Sequence, residues 1–144
     1  MYKKHKFLMI GLFLLTAIFT FCTKIDYAKI GSEAITISSI STAIYSALVS
    51  SLVNSELKNK MKKVDKTITW KTQLGVLAAY LKTAILFSML NIVFSCAVLL
   101  FEERYCRCIA YRILETLGVA TLAVVLMFTS MMCTFVVNRQ VWDD

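Results

Sequence analysis

Polar positions in this chain come in clumps, and the intervals between the clumps are long. "FLMIGLFLLTAIFTFC", Phe7 to Cys22, follows the basic tail "MYKKHK". "LGVLAAYLKTAILFSMLNIVFSCAVLLF", Leu74 to Phe101, is uncharged from Thr83 onward, and "TLGVATLAVVLMFTSMMCTFVV", Thr116 to Val137, carries no charge at all. A transmembrane helix needs about 20 predominantly apolar residues, so each run predicts a span. The first is short and imitates a signal peptide, with a positive start and an apolar core. "TFCTKID" lacks the small-x-small cleavage pattern, and the bulky Phe21 before Cys22 spoils a lipoprotein signature. It is therefore expected to stay as an uncleaved first helix. Trp70 and Tyr80 fall where interfacial aromatics are favourable.

A fourth stretch, "AITISSISTAIYSALVSSLV" from Ala34 to Val53, has no charge but is rich in serine and threonine. Lysine placement decides its fate. If it did not cross, eight lysines between Lys24 and Lys71 would be exported, against the positive-inside tendency. If it crosses, ten cationic residues lie inside and five outside, with Lys82 near a span end left out. Four spans with both termini cytoplasmic satisfy the rule; three do not. The expected fold is all-α, one polytopic membrane domain over residues 1–144, with helices at about 7–23, 34–55 (extending to about 64), 74–101 and 113–137.

Composition agrees. Hydrophobic residues make up 58% and charged residues 17%, against about 45–50% and about 25% in ordinary soluble domains. The net charge of +7 is then topogenic. No basic stripe is interleaved with aromatics as strand-binding grooves require, so no direct nucleic-acid contact is expected.

On a helical wheel the second span shows an apolar stripe, Ile37, Ile40, Ile44, Leu48 and Leu52, and a small-residue ladder, Ser39, Ala43, Ala47 and Ser51, flanked by Thr36, Ser46 and Ser50. Lipid provides no hydrophobic drive between helices, so close backbone approach and interhelical hydrogen bonds hold membrane bundles together, and small residues permit both. Two expectations follow. The ladder packs on the protein's own helices, or it mediates self-association and lines a path between copies. Asn91, near the middle of the third span, needs a partner in hydrocarbon; interhelical bonding is the simpler role and transport the sharper one. No span is expected to hold a buried carboxylate or arginine pair of the kind that marks proton relays or ion-coupled carriers.

Between the second and third spans, "NSELKNKMKKVDKTITWKTQL" carries Lys58, Lys60, Lys62, Lys63, Lys66 and Lys71 against Glu56 and Asp65. Such a cluster serves topology, attracts anionic lipid, or docks an acidic cytoplasmic protein. The outer hairpin "EERYCRCIAYR" holds Cys106 and Cys108, whose thiols are expected free because a disulfide across one residue is strained. His5 stands in the basic tail with no expected partner, and the five cysteines have no zinc spacing, so neither a metal nor any other cofactor is expected. No Ser/His/Asp set or glycine-rich phosphate loop is present, and no loop has room for a soluble active site. The chain is not expected to be an enzyme.

In size, four spans, inside termini and a Ser/Thr-rich second span followed by a lysine-rich loop, the chain resembles the small four-span bacterial membrane proteins of anti-phage and mobile-element systems, the membrane subunit of Kiwa-type defence among them. The resemblance lies in topology and brings no functional residue with it. It implies a homo-oligomeric inner-membrane component that senses membrane events and recruits or restrains a cytoplasmic effector. The alternative expectation is a small pore, channel or holin-like protein, to which the hydroxylated second span lends support.

Overall fold

The computed structural model describes residues 3–23, 25–54, 73–105 and 108–140. Among them every regular element is helical: α1 (Lys3–Thr23), a 3-10 turn (Tyr27–Ile30), α2 (Gly31–Asn54), α3 (Gln73–Tyr105) and α4 (Ile109–Gln140). The chain has no proline, and a backbone in lipid must satisfy its polar groups within each segment. Long unbroken helices are the result. Three stretches are long and apolar enough to cross a membrane, Lys3–Thr23, Leu74–Phe101 and Ile109–Thr134, the build of a membrane protein.

The helices begin and end beyond the apolar runs. α1 starts inside the basic tail at Lys3 and α4 starts at Ile109, before Arg112 and Glu115. α3 has 33 residues, about 50 Å at about 1.5 Å per residue, well beyond a hydrocarbon layer of about 30 Å. The described part of α2 stops at Asn54, and its expected extension to about residue 64 lies outside the described residues.

α2 packs on α3, α3 on α4, and α4 on α1. The pairings fix the directions. Ser38 of α2 meets Asn91 of α3, while Tyr45 shares a cluster with Tyr80 and Leu81, so α2 and α3 run antiparallel. Ser41 and Tyr45 meet Thr129 of α4, further along in the same sense, so α2 and α4 run parallel. Two apolar cores result. One, at the end where α2 finishes and α3 starts, gathers Tyr45, Leu81, Ala84, Val124 and Phe128, with Met9 and Phe13 of α1 against it. The other gathers Tyr27, Ala28, Ala34, Val98 and Tyr111. Between them the interior is polar. α1 is peripheral: Thr20 is its one buried residue among those described, whereas Phe7, Leu14, Leu15 and Ile18 face outward.

Tyr80 packs within the bundle. It is buried, its ring edge-on to Phe128 at 6.4 Å between centroids, and its hydroxyl is 2.6 Å from Nδ1 of His5. His5 therefore has a partner, contrary to expectation. The helical start of α1 at Lys3 brings the imidazole level with α3, which no feature of the local sequence announces.

Candidate functional site

The buried stripe of α2 is neither of the two faces that stand out on its wheel. Gly31, Ala34, Ser38, Ser41 and Tyr45 face inward, with Leu48 half-buried, the three- and four-residue spacing of a helix seam. Ala43 is nine residues from Ala34, half a turn away at about 100° per residue. The ladder is accordingly exposed: Ser39, Ala43, Ser46, Ala47 and Ser50 all face away from the protein's own helices. Of the two expectations for it, packing within the bundle does not hold for these residues. The side chain of Ser51 lies outside those described, as do Lys58, Lys60, Lys62, Lys63 and Lys66. Ile37, Ile40 and Ile44 are exposed as well.

Hydroxyls on the outer side of α2 are satisfied locally. Thr36 and Ser50 donate to the carbonyls of Ser32 and Ser46 at 3.0 Å, and Ser39 and Thr42 to those of Ile35 and Ser38 at 2.8 Å. Back-bonding of this kind lets a serine face lipid or a neighbouring helix at small cost.

Asn91 is fully buried and is the hub of the interior. Its amide nitrogen donates to Ser38 Oγ at 2.7 Å and to the Ala34 carbonyl at 3.4 Å, both on α2. Its oxygen accepts from the Tyr27 hydroxyl at 3.1 Å and lies 3.0 Å from Thr121 Oγ1 of α4. The single Thr121 proton is shared with the Leu117 and Gly118 carbonyls behind it. One amide thus joins two helices and a turn to α3. The Tyr27 hydroxyl also meets Ser95 Oγ at 2.7 Å. Burial pushes its phenol above the ordinary tyrosine range, with Ser95 and then Asn91 pulling back, so it remains a protonated donor at neutral pH.

Toward the end where Tyr27 lies, the sequence predicts no buried carboxylate, and Glu115 corrects it: the residue is 3% exposed. Two donors make this possible. Glu115 Oε1 accepts the Tyr27 N–H at 3.1 Å, and Oε2 accepts from Arg112 Nη1 at 3.1 Å, one turn back along α4. Arg112 donates also to the Ile25 carbonyl at 3.3 Å, tying the α1–α2 connection to α4. A buried charge persists only when paired and hydrogen-bonded. Toward the other end, the Tyr45 hydroxyl is 2.8 Å from Thr129 Oγ1, and Ser41 Oγ is 3.3 Å from the same atom.

Tyr27, Ser38, Ser41, Tyr45 and Glu115 are the residues that sequence patterns missed. The spacing Ala34, Ser38, Ser41, Tyr45 was the available signal on α2; Tyr27 and Glu115 gave none, because a connector tyrosine and a helix-start glutamate look like surface. An open apolar cavity of about 400 Å³ lies beside Phe101, Cys108, Tyr111 and Leu114. Cys22, Cys96, Cys108 and Cys133 are free and exposed, and Cys106 lies outside the described residues. No group of three His, Cys, Asp or Glu side chains with metal-binding geometry occurs among the described residues. No family model matches the chain, and neither a curated protein nor a solved structure matches it.

Proposed function

We propose that the chain is a four-span inner-membrane protein that assembles with copies of itself through the outward face of α2 and holds its lysine-rich segment toward a cytoplasmic partner. The observation that carries this is the orientation of α2. Its inward stripe is bonded to α3 and α4 over their apolar stretches, which supports placing α2 at the same depth in the bilayer. Its opposite face shows Ser39, Ala43, Ser46, Ala47 and Ser50 outward, a surface on which a second helix can approach closely.

Placing the lysine segment and both termini inside rests on charge distribution. A role as sensor, anchor or effector component in bacterial anti-phage defence rests on the resemblance in topology. The exposed hydroxyls equally favour a pore between copies; the interior of one copy is filled by Tyr27, Tyr45, Phe128 and Asn91. Expression of the chain alone in a bacterium separates the two. Unchanged membrane potential supports a component that works with a partner, and rapid depolarisation supports the pore. A reporter fused near Lys62 tests the topology, and a periplasmic signal there would sink the four-span arrangement.

A further inference from the structure

Ser88 is a fully buried residue of α3 whose hydroxyl has no hydrogen-bond partner among the described residues. A buried polar group left so is costly and uncommon, and bound water is the usual remedy. The surroundings decide whether water fits. Ser88 lies one turn from Asn91 along α3, as Ser41 lies one turn from Ser38 along α2, and the antiparallel packing of these helices brings both steps toward the same end. Ser38 and Ser41 are buried too, at 0% and 3% exposure.

A count of donors and acceptors among the three serines is revealing. Ser38 Oγ accepts from Asn91, but its own proton goes to no described acceptor. Thr129 gives its proton to the Val125 carbonyl at 2.9 Å, so in the Ser41–Thr129 contact Ser41 is the donor, leaving its lone pairs open. Ser88 has both a proton and lone pairs to spare. An unassigned donor, an unassigned acceptor and a hydroxyl able to act as either are the three partners that one buried water characteristically makes.

We infer that Ser38, Ser41 and Ser88 bind one structural water at the polar waist of the bundle. It accepts from Ser38, donates to Ser41 and exchanges a hydrogen bond with Ser88. This water joins the Asn91 cluster to the Tyr45–Thr129 cluster. The hydrogen-bonded chain then runs from the Tyr27 hydroxyl through Asn91, Ser38, the water, Ser41 and Thr129 to the Tyr45 hydroxyl. The competing arrangement is a dry one, in which the Ser88 hydroxyl turns to the carbonyl one turn back, as Ser39 and Thr83 do. Ser38, Ser41 and Ser95, the other inward serines, meet Asn91, Thr129 and Tyr27 across the bundle, and Ser88 faces inward with them.

Water-edited solid-state NMR of the full chain in lipid bilayers, with serine labelled, reads this directly. Polarisation transferred from water to the Ser88 β-carbon at short mixing times, with Ser95 as the dry internal reference, is the expected result. Absence of that transfer at Ser88, at times when loop residues are already polarised, overturns the inference. Ser88→Ala gives the second measurement. With a bridging water the substitution removes a partner, and the thermal midpoint falls by about 2–4 °C. In a dry site the hydroxyl only returns to its own helix, a bond that adds little or slightly destabilises, and an unchanged or raised midpoint contradicts the assignment.

Discussion

The Tyr27 ring lies directly against the backbone of Gly118: a β-carbon built at position 118 would stand 2.8 Å from Tyr27 Cδ1. Only glycine leaves room for the ring whose hydroxyl reaches Asn91. Gly118→Ala should therefore displace Tyr27 and destabilise the bundle by about 2 kcal/mol, the usual cost of overpacking. Gly11 of α1 has open space around it, so Gly11→Ala should be neutral or slightly stabilising, since alanine is the better helix former. Unfolding in mixed micelles compares the two, and equal effects would show that Tyr27 has another seat.

Asn91→Ala removes the amide at which α2, α3, α4 and the Tyr27 turn meet. Interhelical hydrogen bonds in membranes are worth about 0.6 kcal/mol each on average, so four contacts give a loss of about 2 kcal/mol. Coupling is the sharper readout. In a double-mutant cycle with Ser38→Ala the two losses should be non-additive, because the second substitution removes a contact already gone. Additive losses would mean that the Asn91–Ser38 bond contributes nothing.

Glu115→Ala leaves the Tyr27 N–H and the Arg112 guanidinium without their acceptor. Breaking a buried pair costs about 3–5 kcal/mol, and the partial exposure of Arg112, 24%, reduces this to about 2 kcal/mol by solvent screening. Glu115→Gln keeps an oxygen for the Tyr27 N–H and should cost less than half as much. If glutamine is as damaging as alanine, charge rather than the turn contact is what matters at this position.

Ala43→Leu and Ala47→Leu should lower the mass of the detergent-solubilised complex, by native mass spectrometry, while leaving the unfolding midpoint unchanged. Ser38→Leu and Ser41→Leu should do the reverse, destabilising the fold because they insert bulk between α2 and its neighbours. Ile44→Leu should leave both unaffected. An unchanged complex in the two alanine variants removes the proposed interface.

If the lysine-rich segment docks an acidic cytoplasmic partner as proposed, changing Lys60, Lys62 and Lys63 together to glutamate should weaken its co-purification with chain that is still correctly inserted. Retention of the partner would leave these lysines a purely topogenic role.

Three long apolar helices were legible in the sequence because hydrocarbon demands them, and Asn91 stood out because an amide in a span must find a partner. The inward face of α2 was not legible. In a soluble helix the buried stripe is the apolar one, but here Ile37, Ile40 and Ile44 turn outward while Ser38 and Ser41 turn in, the arrangement expected if α2 crosses the bilayer as proposed. Tyr27 and Glu115 escaped notice for a different reason. Each is buried by a partner distant in sequence, Tyr27 by Asn91 and Gly118, Glu115 by the Tyr27 backbone, and local pattern holds no record of such pairings. The same is true of His5 and Tyr80.

The seating of α1 has a consequence for how the protein is made. α1 is made before α2, α3 and α4, yet it rests chiefly on α4, so two helices must be synthesised before that neighbour exists. Until then α1 has the His5–Tyr80 contact with α3 to hold it. Assembly must finish by the late arrival sliding in beside a waiting segment, so loss of α4 would leave α1 tied to the bundle mainly through His5 and Tyr80.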